Sequence, residues 1–292
     1  MFRPLELSDK ELFMSYTLRG NYKNVEAGFT CAYIWRHKYG HEIYTTDNAM
    51  YIRFNDGFAD YITPFGVLSW SRALDEINGL DPDASLGELV EEDTSAVEKA
   101  APGKYEFMEN RNAADYLYLQ SDLAEFSGKK FHSKRNFCSR FEREYEGRWI
   151  FEEITEENID DVWLFHDAWS RKNGGGSSLT LQEESTTIAL LLYNLKTLGA
   201  RGGLLRVDGK VIAFTAGSPI AGDTYDVSVE KADYEVVGAY PMICREFIRN
   251  ICEGYHYINR EDDMGLENLR KAKLSYNPVR LIRKFNATRR GM

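Results

Sequence analysis

The chain has 292 residues, 43% of them hydrophobic and 13% aromatic, which is enough apolar side chain for one large core or two ordinary ones. That composition excludes a disordered chain, and a formal charge of −10 excludes indiscriminate coating of nucleic acid. The apolar stretch Ile188 to Leu195 falls well short of the roughly eighteen residues of a membrane span, so no integral membrane segment is expected.

The opening, MFRPLELSDKELF, carries no basic run followed by an apolar one, and no secretory leader is expected. It reads as a short strand, then Ser8 as N-cap with Glu11 three residues on, then an apolar-periodic helix. MYIRFNDGFADYITPFG, Met50 to Gly66, reads as a hairpin about an Asp-Gly turn. Asp81 to Glu98 is strongly acidic, whereas Lys129 to Arg148 and Arg270 to Arg290 carry surplus Lys and Arg. Phe131 to Tyr145 reads as a helix with Phe137, Phe141 and Tyr145 along one stripe and Lys134, Arg135, Arg140 and Arg143 among them. Those cations suit either a solvated face or a nucleic-acid backbone.

Trp149 to Ile154 then repeats the opening plan, extended, with Thr155 as cap and acids in the first helical turn. Leu7-Ser8-x-x-Glu11-Leu12 lies over Ile154-Thr155-x-x-Asn158-Ile159. Gly174 to Ser178 is a glycine loop that reads as a lid or a plain connector. A second Asp-Gly hairpin follows at Gly203 to Ile220, and Thr224 to Ala232 alternates as a half-buried strand. A helix (MICREFIRNIC), a strand (YHYIN), a helix (GLENLRKAKLS) and a last strand (VRLIRKFNA) complete the chain. The echo between the halves predicts a duplicated module, 1–145 and 146–292, with the active cleft in the second.

Four cysteines, Cys31, Cys138, Cys244 and Cys252, show no CxxC spacing and read as reduced thiols of a cytoplasmic protein. Five histidines at no metal spacing predict no metal, and no Ser-His-Asp or Walker pattern is present.

The order strand–helix–helix–three strands–helix–strand–helix–strand is that of an α+β mixed sheet, and it resembles the GNAT N-acyltransferase fold. Two such modules in tandem, each a mixed β-sheet flanked by helices, resemble the Fem-type aminoacyltransferases and the soluble C-terminal domain of phosphatidylglycerol lysyltransferase. The second resemblance rests on Gly265-Leu266-x-x-Leu269-Arg270-x-x-Lys273-x-x-Tyr276-x-Pro278, and upstream on GLLRVDGKVIAFTAG, VEKAD and GAY. It implies transfer of an acyl or aminoacyl group to a small-molecule or peptide amine. The donor leans to aminoacyl-tRNA, with acyl-CoA admitted and tRNA a partner in the first case. The competing reading is a non-catalytic GNAT-fold module that binds a CoA-like or amino-acid-like ligand.

The resemblance places a donor loop at Glu235 to Tyr240, where Gly238, Ala239 and Tyr240 would receive a diphosphate at a helix N-terminus, with Lys231 compensating charge. Glu235 replaces the usual cation or amide there, and a carboxylate disfavours a diphosphate in the standard pose. Glu230 sits where this superfamily carries a general base, on the same strand face as Asp226 and Ser228 by alternation. Tyr276 matches the tyrosine that protonates a leaving thiolate, or packs in the core.

At 100° per residue, Leu266, Leu269, Ala272 and Tyr276 form an apolar helical stripe that includes Lys273, with Arg270 at its edge. A lysine so placed snorkels to the rim or meets an anion, which makes Lys273 and Arg270 candidate donor contacts. Glu261, Asp262 and Asp263 read either as helix-capping acids or, with Asn259 and Arg260, as the substrate's amine-binding wall.

Overall fold

The computed structural model of the chain describes residues 1–290 apart from positions 19, 56, 58, 67, 68 and 174–178, together with all side chains in that range but those of 179 and 180. The Gly174–Ser178 loop and position 56 of the first hairpin turn therefore lie outside the described residues.

The first half runs β1 (Arg3–Pro4), α1 (Lys10–Thr17), α2 (Phe29–Tyr39), β2 (Glu42–Thr45), β3 (Ala49–Asn55), β4 (Asp60–Gly66) and α3 (Trp70–Leu80). Then come β5 (Ser85–Val90), α4 (Glu91–Ala100), β6 (Tyr105–Glu109), β7 (Asp115–Leu119), α5 (Gln120–Glu125) and α6 (His132–Glu144). The second half runs β8 (Trp149–Glu153), α7 (Ile159–Lys172), α8 (Leu179–Leu192), α9 (Leu195–Leu198), β9 (Arg201–Val207), β10 (Lys210–Ala221) and β11 (Thr224–Ala232). It ends with α10 (Ala239–Asn250), β12 (Tyr257–Asn259), α11 (Glu267–Leu274), β13 (Arg280–Ile282) and β14 (Lys284–Arg289).

These strands make two seven-stranded sheets, in the orders β1-β2-β3-β4-β5-β14-β6 and β8-β9-β10-β11-β12-β7-β13. The two orders superimpose strand for strand, each with one parallel pair, β4 with β5 and β11 with β12. The architecture is the expected α+β pair of tandem GNAT-like modules. One exchange distinguishes it from two modules laid end to end. β7 enters the second sheet between β12 and β13, and β14 enters the first between β5 and β6. The sheets thus do not part at residue 145, because each half gives its last strand to the other.

The duplicated openings differ from the sequence reading in detail. Ser8 falls inside a short 3-10 turn, and the side chain that closes the entrance is Asp9, whose Oδ2 accepts from the Glu6 N–H at 2.8 Å. In the second half Asn158 Oδ1 accepts from the Thr155 N–H at 2.8 Å. An acceptor three residues on from the free N–H recurs in both, two positions away from the expected alignment. The second hairpin is tight, with Asp208 and Gly209 at φ 49° and 77°, as a two-residue primed turn requires.

Three cores alternate with the two sheets. One gathers Leu74, Ile77, Leu86 and Val97 from the first half, and another gathers Phe131, Phe141, Ile243 and Phe247 around α6 and α10. The middle core is common property, drawing Phe13, Phe29 and Ile52 from one half and Val162, Leu204 and Phe214 from the other. On α6 it is Cys138 and Phe141 that are buried, while Phe137 is exposed.

Where the exchanged strands begin, Lys284 at the head of β14 donates to Asp115 at the head of β7 at 2.6 Å, and also to Glu26. Lys284 is 1% exposed and Asp115 is fully buried; Asp115 Oδ2 further accepts from Val25 N and Asn259 Nδ2, both at 2.9 Å. Removing one partner of so enclosed a pair leaves a buried charge uncompensated. Lys284→Met should lower the unfolding free energy by roughly 3–5 kcal/mol in urea denaturation, and Lys284→Met with Asp115→Asn should lower it by less.

Candidate active site between the sheets

β11 is the strand on which the site is built, and it is not regular. Ala216 pairs with Val229 but the next residue, Gly217, pairs with Val227, so Ser228 is an extra residue in β11. A one-residue bulge reverses which side of the sheet the following side chains take. The bulge also needs Gly217 opposite it, since a Cβ there would lie 1.9 Å from the Asp226 carbonyl oxygen. Asp226 and Glu230, expected on one face, therefore stand on opposite faces.

On the α6–α10 side, Glu230 accepts from Arg260 Nη2 at 2.7 Å, and both side chains are nearly buried. The Arg260 guanidinium lies over the Tyr276 ring at 4.6 Å, and Lys134 lies over the same ring at 3.6 Å while donating to Ser275 Oγ at 2.7 Å. Arg260 Nη1 is enclosed and has no partner. Burial and the neighbouring Arg260 lower the Lys134 pKa to about 8. Burial raises Glu230, against the pull of Arg260 and Lys134. Burial raises Tyr276 well above the usual tyrosine value. The pairing with Arg260 makes Glu230 an orienting partner more than a free base. Tyr276 is 5% exposed and packs on Phe126.

On the opposite side a buried cluster of acids is drawn from both halves. Asp226 is 2% exposed; its Oδ2 accepts from Ser228 Oγ at 2.6 Å and its Oδ1 has no partner. Glu261 Oε1, from just beyond β12, and Glu88 Oε2, from β5, are likewise enclosed and unpartnered. Both residues have left-handed backbone, φ 51° and 54°, which a glutamate adopts at a cost of about 1–3 kcal/mol. Glu88 owes it to a second bulge, where Phe285 pairs with Leu89 but Ala287 with Leu86. Asn259, fully buried, reaches across to the Lys23 carbonyl and to Asp115.

Enclosure dominates the protonation of these acids. Burial raises Asp226 to about 7 and, with the charge of Glu26, raises Glu88 to about 8. Burial and Asp226 raise Glu261 well above the carboxylate range, and burial with the surrounding acids raises the Cys31 thiol, leaving it unreactive.

The two sides meet at a fork. β11 and β12 pair in parallel only as far as Asp226 and Asn259, after which the chain turns away through Arg260 and Glu261. The Lys273 ammonium donates to the carbonyl oxygens of Arg260 and Asp262 on that departing segment. Lys273 is half-buried, and its bonds go to backbone carbonyls rather than to a free anion site. Of the stripe around it, Leu266 is 49% exposed and Tyr276, beyond the end of α11, is the member that is buried; α11 itself buries no residue.

The other predicted residues have settled partners. Asp263 is fully buried and accepts from Arg270 at 2.8 and 2.9 Å, Tyr116 OH at 2.6 Å, Arg111 at 3.1 Å and Gly265 N at 2.9 Å. Burial would raise its pKa, but the bonds from Arg270 and Tyr116 outweigh burial and hold it below the usual range. Asp263 and Arg270 therefore form an anchor for the loop before α11, whose N-cap is Leu266 rather than an acid. Lys231 donates to Glu184 at 2.7 Å and lies over Trp169 at 4.2 Å, so its ammonium already has partners.

Gly238 has φ 90°, and a Cβ on it would lie 2.5 Å from the Phe137 carbonyl oxygen of α6. The Ala239 N–H is taken by Val236 O, Pro241 has no N–H, and Tyr240 packs against the α6–α10 core. α6 lies against the bend where a diphosphate would sit.

Two sheets of this order, each carrying one parallel pair, with a forked β11–β12 junction and a polar interior, define a tandem GNAT-fold protein with an acyltransferase-like architecture. The chain belongs to the family described as phosphatidylglycerol lysyltransferase, C-terminal, whose model matches residues 20–288. A conserved protein of unknown function from Bacteroides thetaiotaomicron VPI-5482 is 34% identical, with a TM-score of 0.94 over 99% of both chains. L-PGS from Bacillus licheniformis is 15% identical with a TM-score of 0.69, covering 99% of this chain and 94% of that one, and shares the fold. An uncharacterised protein of Mycoplasmoides gallisepticum is 23% identical over 180 residues, 60% of this chain and 56% of that protein, so the match spans little more than half of that relative's length. No helix among the described residues is long and apolar enough to cross a membrane.

Sequence reasoning missed Glu26, Glu88, Asp115 and Lys284, which come from segments far apart in the chain. The Asp226 carboxyl binds its proton more tightly folded than unfolded, so its burial costs stability as pH rises from about 4 to about 7 and nothing extra below that window. Asp226→Asn should therefore melt several degrees above the parent near pH 8 and close to it near pH 4, as followed by circular dichroism.

Proposed function

We propose that the chain is a transferase that moves an acyl or aminoacyl group onto an amine at the β11–β12 fork. The observation that carries this is the separation of charge across the fork. Arg260, with a free Nη1, and Lys134 stand on one side, and the unpartnered oxygens of Asp226, Glu261 and Glu88 stand on the other. An anionic donor fits the first side and an ammonium-bearing acceptor fits the second.

In this scheme Asp226 takes the proton that turns the acceptor's ammonium into a nucleophilic amine, and its raised pKa suits it to that exchange near neutrality. The amine then attacks the donor's carbonyl carbon; a C–N bond forms, the C–O or C–S bond to the carrier breaks, and the carrier leaves with a proton. Glu230 holds Arg260 in place for the donor, Lys273 fixes the departing segment, and Tyr276 backs both cations. Such a reaction needs positioning more than a covalent nucleophile.

Between donors, the bend at Gly238 supports an aminoacyl ester of tRNA over acyl-CoA. Its helix entrance is covered by α6 and offers a diphosphate neither the Ala239 N–H nor one at Pro241. Arg135 is occupied by the Phe126 and Gly128 carbonyls, so backbone contact with tRNA would fall to Lys134 and the remaining cations of α6.

The test is a transfer assay with the purified chain, labelled aminoacyl-tRNA or acyl-CoA pools, and primary amines. Amide product is expected from aminoacyl-tRNA, with Asp226→Asn slowing it by about 10²–10⁴-fold while the fold persists. Consumption of neither donor, together with a donor fragment that raises the melting temperature, would instead mark a non-catalytic binding module.

A further inference from the structure

Because the two sheets superimpose strand for strand, the first has a fork of its own. β4 and β5 pair in parallel only at Tyr61–Ser85 and Ile62–Leu86, as β11 and β12 do only as far as Asp226 and Asn259. Two residues beyond the last pair stands Glu88 in the first sheet and Glu261 in the second, with φ 54° and 51°. Left-handed backbone is uncommon outside glycine, and here the same residue type adopts it at both forks. What occupies the forks differs. In the second sheet Arg260, one residue past the last pair, closes on Glu230, and α6 lies over the bend at Gly238. In the first sheet the place of Arg260 falls to Gly87, which brings no cation.

A cavity of about 70 Å³ lies at this first fork, several times the space one enclosed water needs. β4 past the last pair gives it Thr63 and Phe65, β5 gives Glu88, and α3, α4 and the segment between α1 and α2 give Trp70, Asp93 and Tyr22. Three aromatic residues and two acids thus line it, with no Lys, Arg or His among the described residues that do. The polar ends of the rings are spent on the wall itself. The Trp70 indole N–H donates to Asp93 Oδ1 at 3.2 Å, and Tyr22 OH accepts from Gly66 N at 3.2 Å. Tyr22 and Phe65 meet edge to face, 5.2 Å between ring centroids. The ammonium that acts on Glu88, that of Lys284, is already bonded to Asp115 and Glu26.

We infer that the first half binds a compact alkylammonium cation in this cavity, its charge set against Glu88 and Asp93 and its carbons against Tyr22, Phe65 and Trp70. Rings and carboxylates act together here, because the face of an aromatic ring and an ionised acid both attract positive charge. The two acids oppose an anion at the nearby start of α3. The volume is also far below the roughly 300 Å³ at which pockets for whole cofactors begin. This site goes beyond the transfer reaction, since it lies in the other half and no bond is made or broken in it.

Calorimetric titration of the full chain with tetramethylammonium tests the site apart from the transfer reading, because that cation has no N–H and cannot be an acceptor. The titration is run at about pH 9 so that Glu88 is ionised. Burial and the charge of Glu26, with Asp115 and Asp262, lift Glu88 to about 8 against the pull of Lys284. Neutral tert-butanol and inorganic phosphate are the comparison probes. Tetramethylammonium should bind at least about tenfold more tightly than either. Trp70→Leu and Glu88→Gln should each weaken it by about five- to tenfold, whereas Trp70→Phe, which keeps a ring, should weaken it less. Circular dichroism of each variant confirms that it is folded. Equal binding of cation and alcohol, tighter binding of phosphate, or cation binding indifferent to both Trp70→Leu and Glu88→Gln overturns the inference. Absence of amide transfer leaves it standing, and absence of cation binding leaves the transferase reading standing.

Discussion

The ion pair between Lys284 and Asp115 is the point through which the two halves become one molecule. Each residue opens the strand that its half gives away, so the pair sits where the two crossing segments touch. One acid and one base attract at a depth where two like charges would repel. The buried acid cluster is a consequence. Because β14 lies beside β5, and β7 beside β12, carboxylates of one sheet are brought against those of the other.

That arrangement costs stability. Unpartnered oxygens on Asp226, Glu261 and Glu88, left-handed glutamates and a buried lysine on backbone carbonyls are local violations of good packing. Proteins tolerate such violations where a ligand removes them, and here they cluster in one place. The surrounding structure is correspondingly firm. The Asp263 anchor ties the loop before α11 to Tyr116 on β7, and the bulge at Ser228, seated on Gly217, turns Asp226 and Glu230 to opposite faces.

Much of the fold was legible. The order of elements, the second Asp-Gly hairpin and the strand at Thr224 to Ala232 follow from period and turn chemistry, which are local properties. What misled were features that local pattern does not encode. Strand alternation placed Glu230 beside Asp226 because a bulge leaves no mark in apolar spacing. The leucines of α11 suggested a buried stripe, yet the helix lies at the surface and turns its lysine inward. The strand exchange was invisible because β7 and β14 read the same whichever sheet receives them. The buried charges Glu26, Glu88 and Lys284 were unreadable for the same reason, since each is an ordinary charged residue until the exchange brings it to Asp115. By contrast, Asn259 closes β12 and Arg260 and Glu261 follow it, as the strand and helix patterns on either side place them.

The account stands on the β11–β12 fork being the place where an amine acceptor meets its donor. A crystal structure of the chain soaked with a primary amine tests this most directly. The account predicts density at the fork with the amine nitrogen within hydrogen-bonding reach of Asp226 Oδ1. Amine density found only on the outer acidic surface, with none at the fork, would contradict it.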